Sequence, residues 1–359
     1  METIGLRRLN RASLRRQSLL ARTEDRAVAE VARLGGLQAQ APNAPYVGLW
    51  SRVAGFRTGD VADALLDRAL VRLPLLRGTL HLTTAADALA WYPLVRPVLE
   101  RGFEANFRRR LPGVDVPRLV EDCAALLAEQ PMSRAELGAA LTERWPGVDR
   151  TAMAYAATCL LPVVQVPPRG VWGETAQATW TTVRAWLGTE PAAGRVEDLV
   201  LRYLAAFGPA SARDLRTWCG LSRLREVAEG LPLPTYRDDD GTTLYDVPDG
   251  GLPDPDTPAP PRFLPEYDNL LLSYADRARV GADHRAVPLP PGIGGVSGSV
   301  LVDGFWQANW RLGDPGTLIV EPFGRLPGRD VAEVTEEGLR LVAFLAPDAD
   351  RHEVVCTAT

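Results

Sequence analysis

Val71-Arg72-Leu73-Pro74-Leu75-Leu76-Arg77-Gly78-Thr79-Leu80-His81-Leu82 reads as two apolar-rich, strand-like segments around a turn, the pattern of a β-hairpin. What precedes it decides the fold class. Residues 23–34 open with Thr23-Glu24-Asp25, a helix start with acids in its first turn. An apolar stripe of Val28, Val31, Ala32 and Leu34 follows. Residues 44–53 form a second helical segment carrying Tyr46, Leu49 and Trp50, and 61–70 a third with Val61, Leu65 and Leu66 inward. Three short helices followed by a hairpin is the winged-helix order.

That order recurs twice. Segments 119–128, 133–144 and 149–159 are helical, the second opened by a Ser133-Arg134-Ala135-Glu136 capping box. A wing follows, with strands expected at 163–166 and 171–173 around Pro167-Pro168-Arg169-Gly170. In the third copy, helix 195–207 stops at Gly208-Pro209, and 211–219 and 221–228 make a helix-turn-helix around Gly220. Strands at 235–237 and 242–247 close that copy around Asp238-Asp239-Asp240-Gly241. Between the first two copies, residues 84–110 read as helical, interrupted at Pro93 and Pro97 and ending in Arg108-Arg109-Arg110. Residues 249–261, rich in Gly, Pro and Asp, read as a linker. Beyond it the pattern turns strand-like: a glycine-rich connection at 292–299, a hairpin at 300–310 around Asp303-Gly304, a strand at 318–323 and a terminal helix at 331–346. The expected architecture is α+β: three tandem winged-helix units followed by a small C-terminal antiparallel β-barrel or sheet. The expected domains are residues 1–115, 116–190, 191–250 and 251–359.

Within the first unit lies Gly35-Gly36-Leu37-Gln38-Ala39-Gln40-Ala41-Pro42-Asn43. Two carboxamides two residues apart diverge on a helix, but in an extended segment they converge on one cleft. The glycine pair ends the helix before it, and Ala41-Pro42 delays the next one. Spacing alone leaves both a catalytic pair and solvated surface glutamines open.

At 359 residues the chain has room for two to four modules, and its apolar content supports a substantial core. No apolar run reaches the roughly 20 residues of a membrane helix, and the basic N-terminus lacks an apolar stretch and cleavage site, so a cytoplasmic protein is expected. Cys123, Cys159, Cys219 and Cys356 are scattered, and the three histidines show no ligand spacing, so neither a metal nor a cofactor is expected. All 40 basic side chains are arginine. Residues 1–120 hold 19 of them against 11 acids, and the remainder 21 against 34. A basic first third on an acidic body suggests a polyanion-binding face, an arginine-rich background being the alternative.

The run LGGLQAQAPNAPYVGLWSR, the hairpin LLRGTLHLTTAAD, the segment YLAAFGPASARDLRTWCGL and the pair RFLPEYDNLLLSYADRARV with LVDGFWQANWRL resemble the AlkZ/YcaQ family of winged-helix DNA glycosylases, in order from about Leu34 to Leu312. The resemblance implies Gln38 and Gln40 as the catalytic pair, in a Q-x-Q branch that includes antibiotic self-resistance enzymes. It implies as partner double-stranded DNA containing alkylated purines, with no protein partner, and a monomer. Candidate DNA contacts are Arg77, where Gly78 permits close backbone approach, together with His81, Arg52 and Arg277. For His81 a hydrogen-bonded structural role is equally open. A cationic N7-alkylated purine is already a good leaving group, so a neutral carboxamide that places water and stabilises an oxocarbenium-like sugar suffices. A second reading is a winged-helix transcription regulator without catalysis.

Overall fold

In the computed structural model, which describes residues 1–281 and 297–357, helices α1 (Leu6–Arg16), α2 (Ala27–Arg33), α3 (Ala44–Trp50) and α4 (Thr58–Leu66) surround a short strand, β1 (Leu37–Gln38). The expected hairpin follows as β2 (Leu70–Pro74) and β3 (Leu80–Thr84), joined through a 3₁₀ turn at Leu76–Gly78. β1 pairs antiparallel with β3, Leu37 opposite Leu82 and Gln38 opposite His81. This pairing puts the carboxamide segment on the edge of the wing.

Helix α5 (Ala85–Asn106) leads to α6 (Val116–Glu129), β4 (Met132–Ser133), α7 (Arg134–Arg144), α8 (Arg150–Leu160), β5 (Val163–Val166) and β6 (Thr179–Thr182). The expected interruption at Pro93 and Pro97 is absent, and α5 runs unbroken through both. A proline at position 93 leaves the Leu89 carbonyl without its helical donor. The chain crossing at Ala192 replaces it, Ala192 N donating to Leu89 O at 3.2 Å while Gly194 N donates to Ala90 O at 2.9 Å.

The two hairpins are not separate wings. They merge into one six-stranded sheet of order β1-β3-β2-β5-β6-β4, with Arg72 opposite Gln165 at the seam. The second wing uses 179–182 instead of the expected 171–173. Residues 170–172 are held against the first helical group: Tyr46 Oη donates to Gly170 O at 2.8 Å and accepts from Trp172 N at 3.1 Å. Alternation sorts the sheet's two faces. Val71, Leu73, Val164 and Val166 enter a core with Trp91, Tyr203, Phe207 and Trp218. Leu37, Leu70 and Leu82 meet Tyr46, Leu49, Val61 and Leu65 on the opposite face.

After α9 (Val183–Leu187), the helices α10 (Val196–Phe207), α11 (Ala212–Cys219) and α12 (Leu224–Glu229) precede the small hairpin β7 (Thr235–Arg237) and β8 (Thr243–Tyr245). Ser211 and Asp214 cap α11 reciprocally, and Gly220 ends it in the left-handed conformation. The last part holds β9 (Arg262–Leu264), α13 (Asn269–Leu272), β10 (Gly298–Val302), β11 (Phe305–Leu312), β12 (Thr317–Pro322), α14 (Gly328–Leu345) and β13 (Glu353–Cys356). These five strands form a sheet of order β13-β12-β11-β10-β9. No barrel closes among the described residues. α14 carries the chain back across the sheet so that β13 joins β12 in parallel, the crossover geometry of an open helix-covered layer. Most of the glycine-rich connection expected at 292–299 lies outside the described residues.

No helix is expected from the sequence over residues 6–16, and the structure gives the arginines of α1, together with Arg22 and Arg52, a use other than polyanion binding. Arg7 and Arg11 bond Asp303, Arg16 pairs with Asp246 at 2.5 Å, Arg22 with Glu337 at 2.6 Å and Arg52 with Asp268 at 2.8 Å. Every partner lies in the acidic remainder of the chain. Arg7 and Arg11 also donate to the carbonyls of Pro255 and Thr257, so the expected linker is bound along α1. Much of the basic excess therefore holds the first third to the rest.

Candidate active site

The carboxamide segment is shaped by its backbone. Gly35 and Gly36 take φ of 71° and 92°, and a Cβ at Gly35 would come within 2.9 Å of the Trp218 ring. Only glycine meets both demands, so the chain leaves α2 and turns at once into β1. From there Ala39 is held on both sides: its N–H donates to Leu80 O at 2.7 Å, and its carbonyl accepts from Arg72 Nη2 at 2.7 Å. Asn269, at the start of α13, donates to Gly36 O at 2.7 Å. Contacts from the hairpin, α11 and α13 thus fix a stretch that has almost no secondary structure of its own.

Gln38 and Gln40 project from the same face of this extended stretch, as i and i+2 must. Gln38 is buried, while Gln40 is exposed. Gln38 Nε2 donates to Gln40 Oε1 at 2.7 Å. Arg77 stands behind them in the left-handed conformation, φ 57°. Its Nη2 donates to Gln38 Oε1 at 3.1 Å, and its Nη1 to the Trp218 carbonyl at 2.7 Å. Burial lowers the Arg77 pKa to about 10, so it remains cationic near neutral pH.

His81, opposite Gln38, is wholly buried. Its Nδ1 lies 2.9 Å from Thr79 O, which fixes the proton on Nδ1 because a carbonyl can only accept. Nε2 is buried without a partner. Burial, followed by the nearby Arg77 charge, pushes the imidazole down to about 3, so it is neutral.

Of the six residues singled out in the sequence, the structure brings four together: Gln38, Gln40, Arg77 and His81. Three of the four expected DNA contacts face inward. His81 supports the sheet, Arg77 bonds the protein, and Arg52 is wholly buried in a two-pronged ion pair with Asp268 at 2.8 and 2.9 Å. For the two arginines the reason is the same, an acceptor distant in sequence within reach, whereas His81 bonds the carbonyl of Thr79 on its own hairpin. Arg277 is half-buried, with no hydrogen-bond or ion-pair partner among the described residues, and burial lowers its pKa. Asp268 also caps α13, accepting from Leu270 N at 2.9 Å, the turn-or-cap role that its Asp-Asn context suggests. Sequence reasoning missed Trp218 and the contact of Asn269 with Gly36. Only the glycine pair signals them, since it marks a place where something approaches the backbone closely.

Chemically, each glutamine keeps one oxygen lone pair uncommitted, and Gln40 keeps its NH2. Neither is a useful base. Together they can orient water and favour positive charge on a sugar, without moving a proton themselves. Among the described residues no three His, Cys, Asp or Glu side chains gather as for a metal ion.

Comparison with known proteins places the chain as a whole. The DNA glycosylase AlkZ of Streptomyces sahachiroi is similar in structure, with a TM-score of 0.74 at 21% identity over 99% of this chain and 100% of that one. At that identity the likeness establishes the fold. No curated protein sequence matches the chain. The family model described as DNA glycosylase AlkZ-like matches residues 31–344, a span that takes in the carboxamide pair, the six-stranded sheet and most of the C-terminal sheet. On that match the chain belongs to the AlkZ-like family of DNA glycosylases.

Proposed function

We propose that this DNA glycosylase hydrolyses the N-glycosidic bond of cationic N7-alkylated purines in duplex DNA, with Gln38 and Gln40 as its catalytic pair. The observation that carries this reading is the 2.7 Å contact between the two carboxamides, one buried and one facing solvent. A water donating to both glutamine oxygens would keep its own lone pair for the anomeric carbon and, once the C–O bond forms as the C–N bond breaks, release its surplus proton to solvent. The same oxygens would stabilise positive charge developing on the sugar. The alkylated base leaves as a neutral molecule, which spares the enzyme a general acid. Normal purines lack that built-in leaving group, and among the described residues no acidic side chain bonds the two glutamines to supply one.

The exposure of Gln40 suits a lesion approached from one groove, as a bulky adduct or interstrand crosslink would require, since such a base cannot be fully extruded. Repair of alkylated DNA and self-resistance to an alkylating natural product both fit this chemistry. The helical trios with their hairpins would act as winged-helix units, divided near residues 115, 190 and 250. Arg277, without an acid partner among the described residues, would meet a phosphate. The chain has no lysine to form a Schiff base with an abasic sugar, so the enzyme would be monofunctional.

The test is base release from a duplex carrying one N7-methylguanine. Release by the wild type, abolished in Gln38→Ala with duplex binding kept, supports the reading. Tight duplex binding without release from methylated, bulky or crosslinked substrates would instead favour a regulator that only binds DNA.

A further inference from the structure

The oxygen and NH2 ends of a carboxamide are nearly equal in shape but opposite in hydrogen-bonding role, and nothing in a glutamine alone decides which end faces its neighbour. Arg77 decides it here. A guanidinium has donors only, so the Gln38 atom 3.1 Å from Arg77 Nη2 must be the oxygen. That turns the Gln38 NH2 toward Gln40, whose oxygen must in turn accept at 2.7 Å. The orientation of the exposed amide is thus set two hydrogen bonds away, by the Arg77 side chain.

We propose that Arg77 is the positioning residue of the site, fixing both carboxamides through Gln38 and tying them to the end of α11 through the Trp218 carbonyl. The inference rests on the catalytic role proposed for the pair. Three further observations support it. Arg77 has no carboxylate partner among the described residues, so its fork is available for two carbonyl oxygens. Its left-handed backbone, φ 57°, is uncommon for a non-glycine residue and brings the side chain back over the hairpin. Trp218 is wholly buried and its ring lies against Gly35, so the carbonyl that Arg77 grips belongs to the element that abuts the carboxamide segment. In this role α11 acts as a support for the catalytic segment.

Without Arg77 the Gln38 amide can rotate by half a turn at little cost. Gln40 then follows, and the polarity offered to water reverses in part of the population. A phosphate-contacting arginine predicts something different, weaker binding with a shallower salt dependence.

The experiment compares Arg77→Gly, which the positive φ accommodates, and Arg77→Lys with the wild type. Single-turnover release of N7-methylguanine, duplex binding as a function of salt, and the side-chain NH2 resonances of ¹⁵N-glutamine-labelled protein are measured. Gln38→Ala identifies the Gln38 signal. The expected result for Arg77→Gly is a loss of about 10- to 100-fold in release, the range typical of residues that orient a reacting group's ligands. The dissociation constant and its salt slope stay unchanged, the Gln38 NH2 signals lose their hydrogen-bonded shift, and added guanidinium ion restores part of the rate. Arg77→Lys keeps a donor but loses the fork, and falls between. Undisturbed Gln38 signals, or a salt slope reduced by about one phosphate contact with release from the bound complex intact, would overturn the proposal. Should Arg77→Gly not fold, Arg77→Lys decides by the same readings. If the wild type releases no base, the glycosylase reading fails by itself, and the resonances still report whether Arg77 sets the amides.

Discussion

Acidification tests the interior of the site, because His81 lies wholly buried opposite Gln38 and beside Arg77. Burial first, and the Arg77 charge second, hold its imidazole at about 3 instead of the ordinary 6.5. In the unfolded chain this residue takes up its proton near 6.5, in the folded chain only near 3. Between those values the unfolded state binds more protons, so stability falls as the pH falls. The loss is about 1.4 kcal/mol per pH unit, reaching about 2 kcal/mol by pH 5 and roughly 5 kcal/mol over the whole interval. Above about pH 6.5 both states are neutral here, and His81 adds no pH dependence. The assay is urea unfolding at steps from neutral pH down to about pH 4, on the wild type and on His81→Gln, which keeps a donor for the Thr79 carbonyl. The difference between the two slopes isolates His81 from every carboxylate. Parallel slopes, or an imidazole resonance assigned to His81 that titrates near 6.5 in the folded protein, would refute the burial argument.

Three other outcomes are expected of the same molecule. Gln38→Ala and Gln40→Ala are each expected to slow single-turnover release by about 10² to 10³, roughly 3–4 kcal/mol. The double variant should be little worse than either, because the two amides act as one unit. Asp268→Ala strands the buried Arg52 guanidinium and uncaps α13, at a cost of about 3–5 kcal/mol in chemical denaturation, whereas Arg52→Met combined with Asp268→Leu recovers most of that loss. With its N-terminus acetylated, the lysine-free chain should form no borohydride-trapped adduct on abasic DNA, and a shifted band on a denaturing gel would contradict this.

Local signals carried much of the fold. Ser133 and Ser211 mark helix starts, Gly220 marks a helix end, and the apolar hairpin at 71–82 emerges as β2 and β3. The carboxamide spacing was legible as a convergence, because an extended segment between a glycine pair and a proline has few alternatives. What the sequence concealed depends on partners far along the chain. α1 reads as a string of arginines because Asp303 and Asp246, the acids that allow it to be buried, lie 296 and 230 residues from Arg7 and Arg16. Arg52 reads as a surface cation for the same reason, with Asp268 216 residues away. The two-residue β1 is too short to show any periodicity, and only its register with β3 reveals it. Pro93 looks disruptive from the sequence because the donor that replaces its missing N–H, Ala192, is remote.

The seam between β2 and β5 also limits how this chain can be taken apart. A fragment that stops before Val163 would leave the β2 margin bare, an unsatisfied row of N–H and C=O groups inviting self-association. The smallest autonomous version containing the carboxamides must therefore run at least through Thr182, and even that version would lose Trp218 and Asn269 from beside them. The site thus cannot be transplanted as a cassette, and exchanging wings between relatives would mean exchanging both together.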